Sequence, residues 1–194
     1  MPHDAGTPPP GPPCVVVAGV TGSGKSTVAR LLADRLGLPF AEGDDFHSPA
    51  SIAKMATATP LTDADRQPWL ESIGRWLRER AAAGTGAVVT CSALRRRYRD
   101  TLRAACPPAF FLRLTADRAT LADRLGDRTG HFMPAALLDS QLATLDPLEP
   151  DERGAELDAT PSPDRIVETA AELLPPWTAL GDGPQDGTAR TQNS

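Results

Sequence analysis

The stretch "GVTGSGKST", residues 19–27, decides how this chain is read. Gly19, Gly24, Lys25 and Ser26 stand at the spacing G-x-x-x-x-G-K-[ST], the pattern of a phosphate-binding P-loop. Glycines let successive backbone N–H groups close around phosphate oxygens. The helix that follows turns its positive end toward the same anion. On this pattern the backbone of Gly19, Val20, Thr21, Gly22, Ser23, Gly24, Lys25, Ser26 and Thr27 wraps the phosphates of a nucleotide. Lys25 neutralises the β- and γ-phosphates, and Ser26 ligates Mg²⁺.

The flanks fit that motif. "CVVVAG" ahead of it is a continuous apolar run, as in a parallel strand buried on both faces. Behind it, Val28, Leu31, Leu32 and Leu36 recur at helical spacing, and Gly37 suits the helix stop. Further strands are predicted at "LPFAE", "GAVVTCS", "AFFLRLT" and "AELDAT". Helices are predicted from Asp65 to Ala83, along the face marked by Leu94, Tyr98 and Leu102, at 117–126, at 135–145 and from Pro163 to Leu174. Strand–helix alternation of this kind predicts an α/β fold of three layers, a parallel sheet covered by helices on both faces. Trp69, Ile73, Trp76 and Leu77 form a helical stripe that belongs to the core.

Composition sets the frame. The chain has 194 residues, enough for one domain, with a net charge of −5 that argues against nucleic acid or an anionic membrane as partner. No apolar run approaches the ~18 residues of a membrane span. "MPHDAGTPPPGPP" has neither the basic start nor the apolar stretch of a secretory signal. Cys14, Cys91 and Cys106 lack any CxxC spacing, which points to reduced thiols and a cytoplasmic protein. Residues 1–13 carry six prolines and residues 176–194 are rich in Gly, Pro, Thr and Asp. Both are expected as disordered tails around a domain at 14–175, with Trp177 pinning the start of the second.

A P-loop names a nucleoside triphosphate, not its use. The guanine-reading N-K-x-D of GTPases is absent, since the only asparagine is Asn193. A motor ATPase ends a central strand in a magnesium-holding aspartate, whereas the third strand here ends in Cys91-Ser92. A small-molecule kinase needs an acceptor pocket and mobile arginines, which the rest of the chain offers. "EGDDFH", residues 42–47, follows the second strand, whose carboxyl end opens onto the ligand crevice of such a sheet. Asp44 is placed there to take the proton of an attacking hydroxyl, and Glu42 to support the metal. The plainer alternative is a solvated acidic turn capping a helix at Ser48 or Ser51.

Five blocks together carry a resemblance: "GVTGSGKSTVA", "GDDFHSPASIAKM", "PLTDADRQPWL", "CSALRRRYRDTLR" and "GHFMPAALLDSQLATLDPLEPDE". In this order they resemble the gluconokinase family of P-loop kinases. Ala58, Leu142 and Arg95 depart from the residues usual there. The resemblance implies an adenylate- or shikimate-kinase-like fold with a mobile lid, ATP and Mg²⁺ as cofactors, D-gluconate phosphorylated at its 6-hydroxyl, and a homodimer. Set beside it, His47, Lys54 and Arg66 are expected to bind the sugar acid. Arg99 is expected to join them from the helix after the third strand. Arg124 is expected at ATP, and Arg128 on the lid at the transferring phosphoryl. The alternatives are another small-molecule kinase, such as a shikimate-type one, or a nucleotide-binding module without chemistry.

Overall fold

The strand "CVVVA" lies between two parallel neighbours and is buried along its length, which is why it can be apolar throughout. The computed structural model describes residues 11–57, 59–126 and 135–177. Its strands are β1 (Cys14–Ala18), β2 (Phe40–Ala41), β3 (Ala87–Thr90), β4 (Phe110–Thr115) and β5 (Gly154–Asp158). They form one sheet in the order β2-β3-β1-β4-β5, and every pairing is parallel. The helices are α1 (Lys25–Leu36), α2 (Pro49–Ala56), α3 (Asp63–Ala82), α4 (Arg96–Ala105), α5 (Arg118–Gly126), α6 (Ala135–Ala143) and α7 (Pro163–Leu173).

Alternation along β1 divides the core. Val15 and Val17 face α1 and α7, with Val28, Leu32, Ile166 and Val167. Cys14, Val16 and Ala18 face α3 and α4, with Trp69, Leu70, Ile73, Leu77 and Leu102. The stripe predicted as core is core, with Trp76 packed half-buried at its edge. A third cluster of Val20, Leu94, Leu121 and Leu138 sits beyond the strand ends and ties α5 and α6 to the phosphate loop.

Differences from the sequence reading have local causes. The helix expected from Asp65 begins at Asp63, because Thr62 and Asp65 close a reciprocal capping box. The helix weighed as an alternative after "DDFH" is α2, with Ser48 accepting from the Ser51 N–H as its cap. Leu94 lies ahead of α4 rather than on it. Pro13 is already bound to the body, since its carbonyl accepts from the Ala87 N–H at 3.0 Å. Trp177 packs against the α1–α7 side of the core. Most of the two expected tails, residues 1–10 and 178–194, lies outside the described residues. Among the described residues no helix is long and apolar enough to cross a membrane.

Candidate active site

β1 has β3 on one side and β4 on the other, so a crevice opens beyond its carboxyl end. The phosphate loop leaves β1 there. Gly24 closes it in the left-handed region, φ 87°, which a side chain disfavours, and α1 then starts without a side-chain cap or an acid in its first turn. The leading N–H groups of α1 are left for an anion. Ser23 Oγ donates to the Val20 carbonyl at 2.8 Å, which folds the loop on itself. Lys25 Nζ donates to the same carbonyl at 2.9 Å.

The acidic turn is not merely solvated. Ser26 Oγ donates to Glu42 Oε1 at 2.9 Å, and Thr90 Oγ1 donates to the same oxygen. Thr90 also accepts from the Gly43 N–H at 2.9 Å. On the other side, Trp69 Nε1 donates to the Gly43 carbonyl at 2.7 Å. A Cβ on Gly43 would stand 1.9 Å from the Thr90 carbonyl oxygen, so only glycine lets β3 and the turn approach this closely. The 3₁₀ turn Gly43–Phe46 is thereby clamped between β3 and α3, and it holds out Asp44, whose side chain is 85% exposed.

His47 is buried and stacks on Trp69, ring centroids 4.4 Å apart. Burial pushes its pKa down; Asp44 opposes that shift and Arg66 adds to it. Its Nδ1 is buried without a hydrogen-bond partner among the described residues. Arg66 lies over the Tyr98 ring, 5.7 Å from its centroid, and its Nε donates to the Leu61 carbonyl. Cys91, at the end of β3, reports how these groups converge. Burial pushes its thiol up to about 12, and the charges of Asp44, Lys25 and Arg66 all act on it. The next turn holds Ala93 at φ 38°, the one non-glycine residue with positive φ among those described. Stored backbone strain of this kind gathers at ligand sites.

Beside the loop lies a cavity of about 340 Å³, lined by Gly22, Ser23, Gly24, Thr27, Arg124 and Pro161. Arg124 is fixed there by donating to the Ala159 carbonyl at 2.7 Å.

Two expected substrate contacts are otherwise engaged. Arg99 is a correction: it is 1% exposed, and its guanidinium is taken up by protein partners. Its Nε and Nη2 donate to both oxygens of Glu152 at 2.7 and 2.8 Å, and Nη2 donates to the Pro147 carbonyl at 2.7 Å. The residue pins α4 to the 146–152 segment because a buried guanidinium must be paired. Lys54 Nζ is tied to Asp65 at 2.6 Å, which brings that carboxyl down to about 2, with Thr62 contributing. Arg128 lies outside the described residues. Sequence reasoning missed Thr90 and Trp69, whose roles depend on which strand and helix flank the turn. Nothing in their immediate sequence announces them.

The donor set suits magnesium. Ser26 and Glu42 offer hard oxygen ligands, and no cluster of three or more His, Cys, Asp or Glu side chains fit for a metal occurs among the described residues. Mg²⁺ is typically held by one or two protein oxygens together with the phosphates it accompanies.

A five-stranded parallel sheet with this loop on its central strand, and an acid-bearing turn across the crevice, defines a P-loop kinase. The AAA domain family model matches residues 14–148. A gluconokinase of Gluconobacter oxydans (strain 621H) is 52% identical over 157 residues, 81% of this chain and 88% of that protein. The solved gluconokinase of Sinorhizobium meliloti 1021 superposes with a TM-score of 0.75 at 46% identity, covering 84% of this chain and 91% of that one. An unliganded sugar kinase from Janibacter sp. HTCC2649 superposes at 0.79 with 51% identity, covering 84% and 94%. The chain belongs to the gluconokinase family.

Proposed function

We propose that this protein transfers the terminal phosphoryl group of ATP to the 6-hydroxyl of D-gluconate, giving 6-phosphogluconate and ADP. The observation that carries this is the tether between the two halves of the site. Ser26, on the phosphate loop, is bonded to Glu42, and Asp44 stands exposed two residues further on. This supports the reading of Asp44 as an acid on the acceptor side of the crevice.

The residues divide the work. Backbone N–H groups of the loop bind the phosphates, and Lys25 exchanges the Val20 carbonyl for phosphate oxygens. Arg124 and the cavity beside Gly22 and Thr27 take the base and ribose. Ser26 and Glu42 would hold Mg²⁺, which would supply positive charge to offset the negative charge that develops as the phosphoryl group transfers. Asp44 accepts the proton of the hydroxyl as its oxygen bonds to the terminal phosphorus. The bond from that phosphorus to the ADP oxygen breaks, and the proton later passes from Asp44 to water. Arg66 and His47 orient the sugar acid, with Arg66 offering N–H groups to its carboxylate. Arg128 belongs, by family likeness, at the transferring phosphoryl. A homodimer in the cytoplasm completes the reading.

ADP release measured with D-gluconate, shikimate, nucleoside monophosphates or no acceptor tests it. Turnover only with gluconate is expected. A preference for another acceptor, or no release at all, would replace the reading by a different kinase or an idle nucleotide-binding module. Asp44→Asn should lower kcat about 10²–10⁴-fold at nearly unchanged ATP affinity. If only the KM for gluconate moved, Asp44 would bind rather than take the proton.

A further inference from the structure

Gln141 has no part in the reaction derived above, yet it touches the phosphate loop. Its side-chain carbonyl accepts the Thr21 N–H at 2.8 Å, across 120 residues of sequence. Because Thr21 presents a donor, chemistry fixes which way the carboxamide faces: Oε1 toward the loop, Nε2 away from that bond. Nε2 donates to no group among the described residues.

Packing delivers this side chain to the loop. On α6, Leu138 is fully buried, and Leu142 and Leu145 pack against the cluster of Val20, Leu94 and Leu121. Val20 is itself a loop residue, next to Thr21. Helix and loop thus share one small core, and Gln141 stands between Leu138 and Leu142 on the edge that meets the loop. Thr21 lies in the first half of the loop, before the glycine and lysine that lead into α1. A neutral carboxamide donor held there borders the anion-binding loop.

We propose that Gln141 contacts the terminal phosphoryl of the nucleotide. Its carbonyl fixes the loop through Thr21, and its Nε2 donates to a γ-phosphate oxygen. The contact rests on the reading of ATP as phosphoryl donor. It distinguishes a triphosphate from a diphosphate, which loop amides alone do less sharply.

Calorimetric titration of the full chain with Mg-ADP and with the Mg complex of a non-hydrolysable imido-triphosphate tests this without gluconate. Gln141→Glu keeps an acceptor for Thr21, removes the donors and adds a negative charge. It should weaken the triphosphate more than about tenfold, the scale of a hydrogen bond to a charged group, while ADP affinity stays within about threefold. Gln141→Met, nearly isosteric and uncharged, also loses the Thr21 acceptor, so both nucleotides should weaken and the triphosphate by severalfold more; that difference decides the matter should the first variant fail to fold. Equal weakening of both nucleotides would make Gln141 a strut for the loop and overturn the proposal, as would no change in either. A native chain that bound neither nucleotide would instead remove the ATP reading on which the proposal rests.

Discussion

Ser26 and Thr90 both donate to the same carboxylate oxygen of Glu42, Ser26 at 2.9 Å. Three elements therefore meet on one atom: α1 through Ser26, the end of β2 through Glu42 and the end of β3 through Thr90. Thr90 also holds the Gly43 N–H, so one hydroxyl positions both the Glu42 carboxylate and the turn bearing Asp44. Thr90→Val keeps the shape and loses both bonds. It is expected to lower kcat about tenfold, the scale of a lost bond to a charged group, and to raise the free Mg²⁺ needed for half-maximal rate. Thr90→Ser should restore both. An unchanged Mg²⁺ requirement in Thr90→Val would separate Thr90 from the metal side of the site.

Arg99 and Glu152 make a different kind of pair, with both side chains buried and bonded to each other. Glu152 sits below the usual carboxylate range: burial works against that, and bonds from Arg99 and the Glu149 N–H outweigh it, aided by Arg96. Arg99→Met takes both side-chain hydrogen bonds and the nearer counter-charge from buried Glu152, leaving only Arg96 at 3.8 Å, which costs about 3–5 kcal/mol. At about 2–4 °C per kcal/mol for a chain of this size, Tm should fall by roughly 6–20 °C. The KM for gluconate measured below that Tm should stay within about twofold. A large rise in KM at unchanged Tm would return Arg99 to the acceptor pocket.

That pair also shows where sequence legibility ends. The phosphate loop, the strand–helix alternation and the core stripe on α3 were readable because each is a local pattern with a fixed period or spacing. Glu42 and Asp44 were readable because the carboxyl end of a strand says where they open. Arg99 was misread because its partner lies 53 residues away, and no periodicity in the arginine run marks which member turns inward. Lys54 was placed at the substrate without its tie to Asp65, which exists only once Thr62 caps α3. Thr90, Trp69 and Gln141 act through neighbours that tertiary packing alone supplies.

The cysteines give a chemical check on the same packing. Cys14, Cys91 and Cys106 are all buried. Desolvation takes the Cys91 thiol up to about 12, so almost no thiolate exists at neutral pH. A thiol-directed reagent at pH 7.5 should leave Cys91 unmodified in the native protein and modify it readily after denaturation. Rapid native labelling of Cys91 would mean that the end of β3 is open to solvent.

His47 makes stability depend on pH in a calculable direction. Burial lowers its folded pKa below the unfolded value of 6.5. The folded state therefore prefers the neutral ring, and the unfolded chain binds the extra proton first as pH falls. The stabilisation is complete above pH 6.5, erodes as pH drops through the folded pKa, and is level below it. Asp44 opposes the depression from its exposed position, and Arg66 reinforces it from α3. Tm followed from pH 7.5 to pH 5 should thus fall further in the native sequence than in His47→Gln, which has no proton to bind. Asp44→Asn removes the opposing charge and should widen the total loss, shifting its lower end to more acid pH. A native sequence and His47→Gln with parallel pH profiles would show that the ring stacked on Trp69 already carries its proton at no cost, and that the pocket around it is wetter than its burial implies.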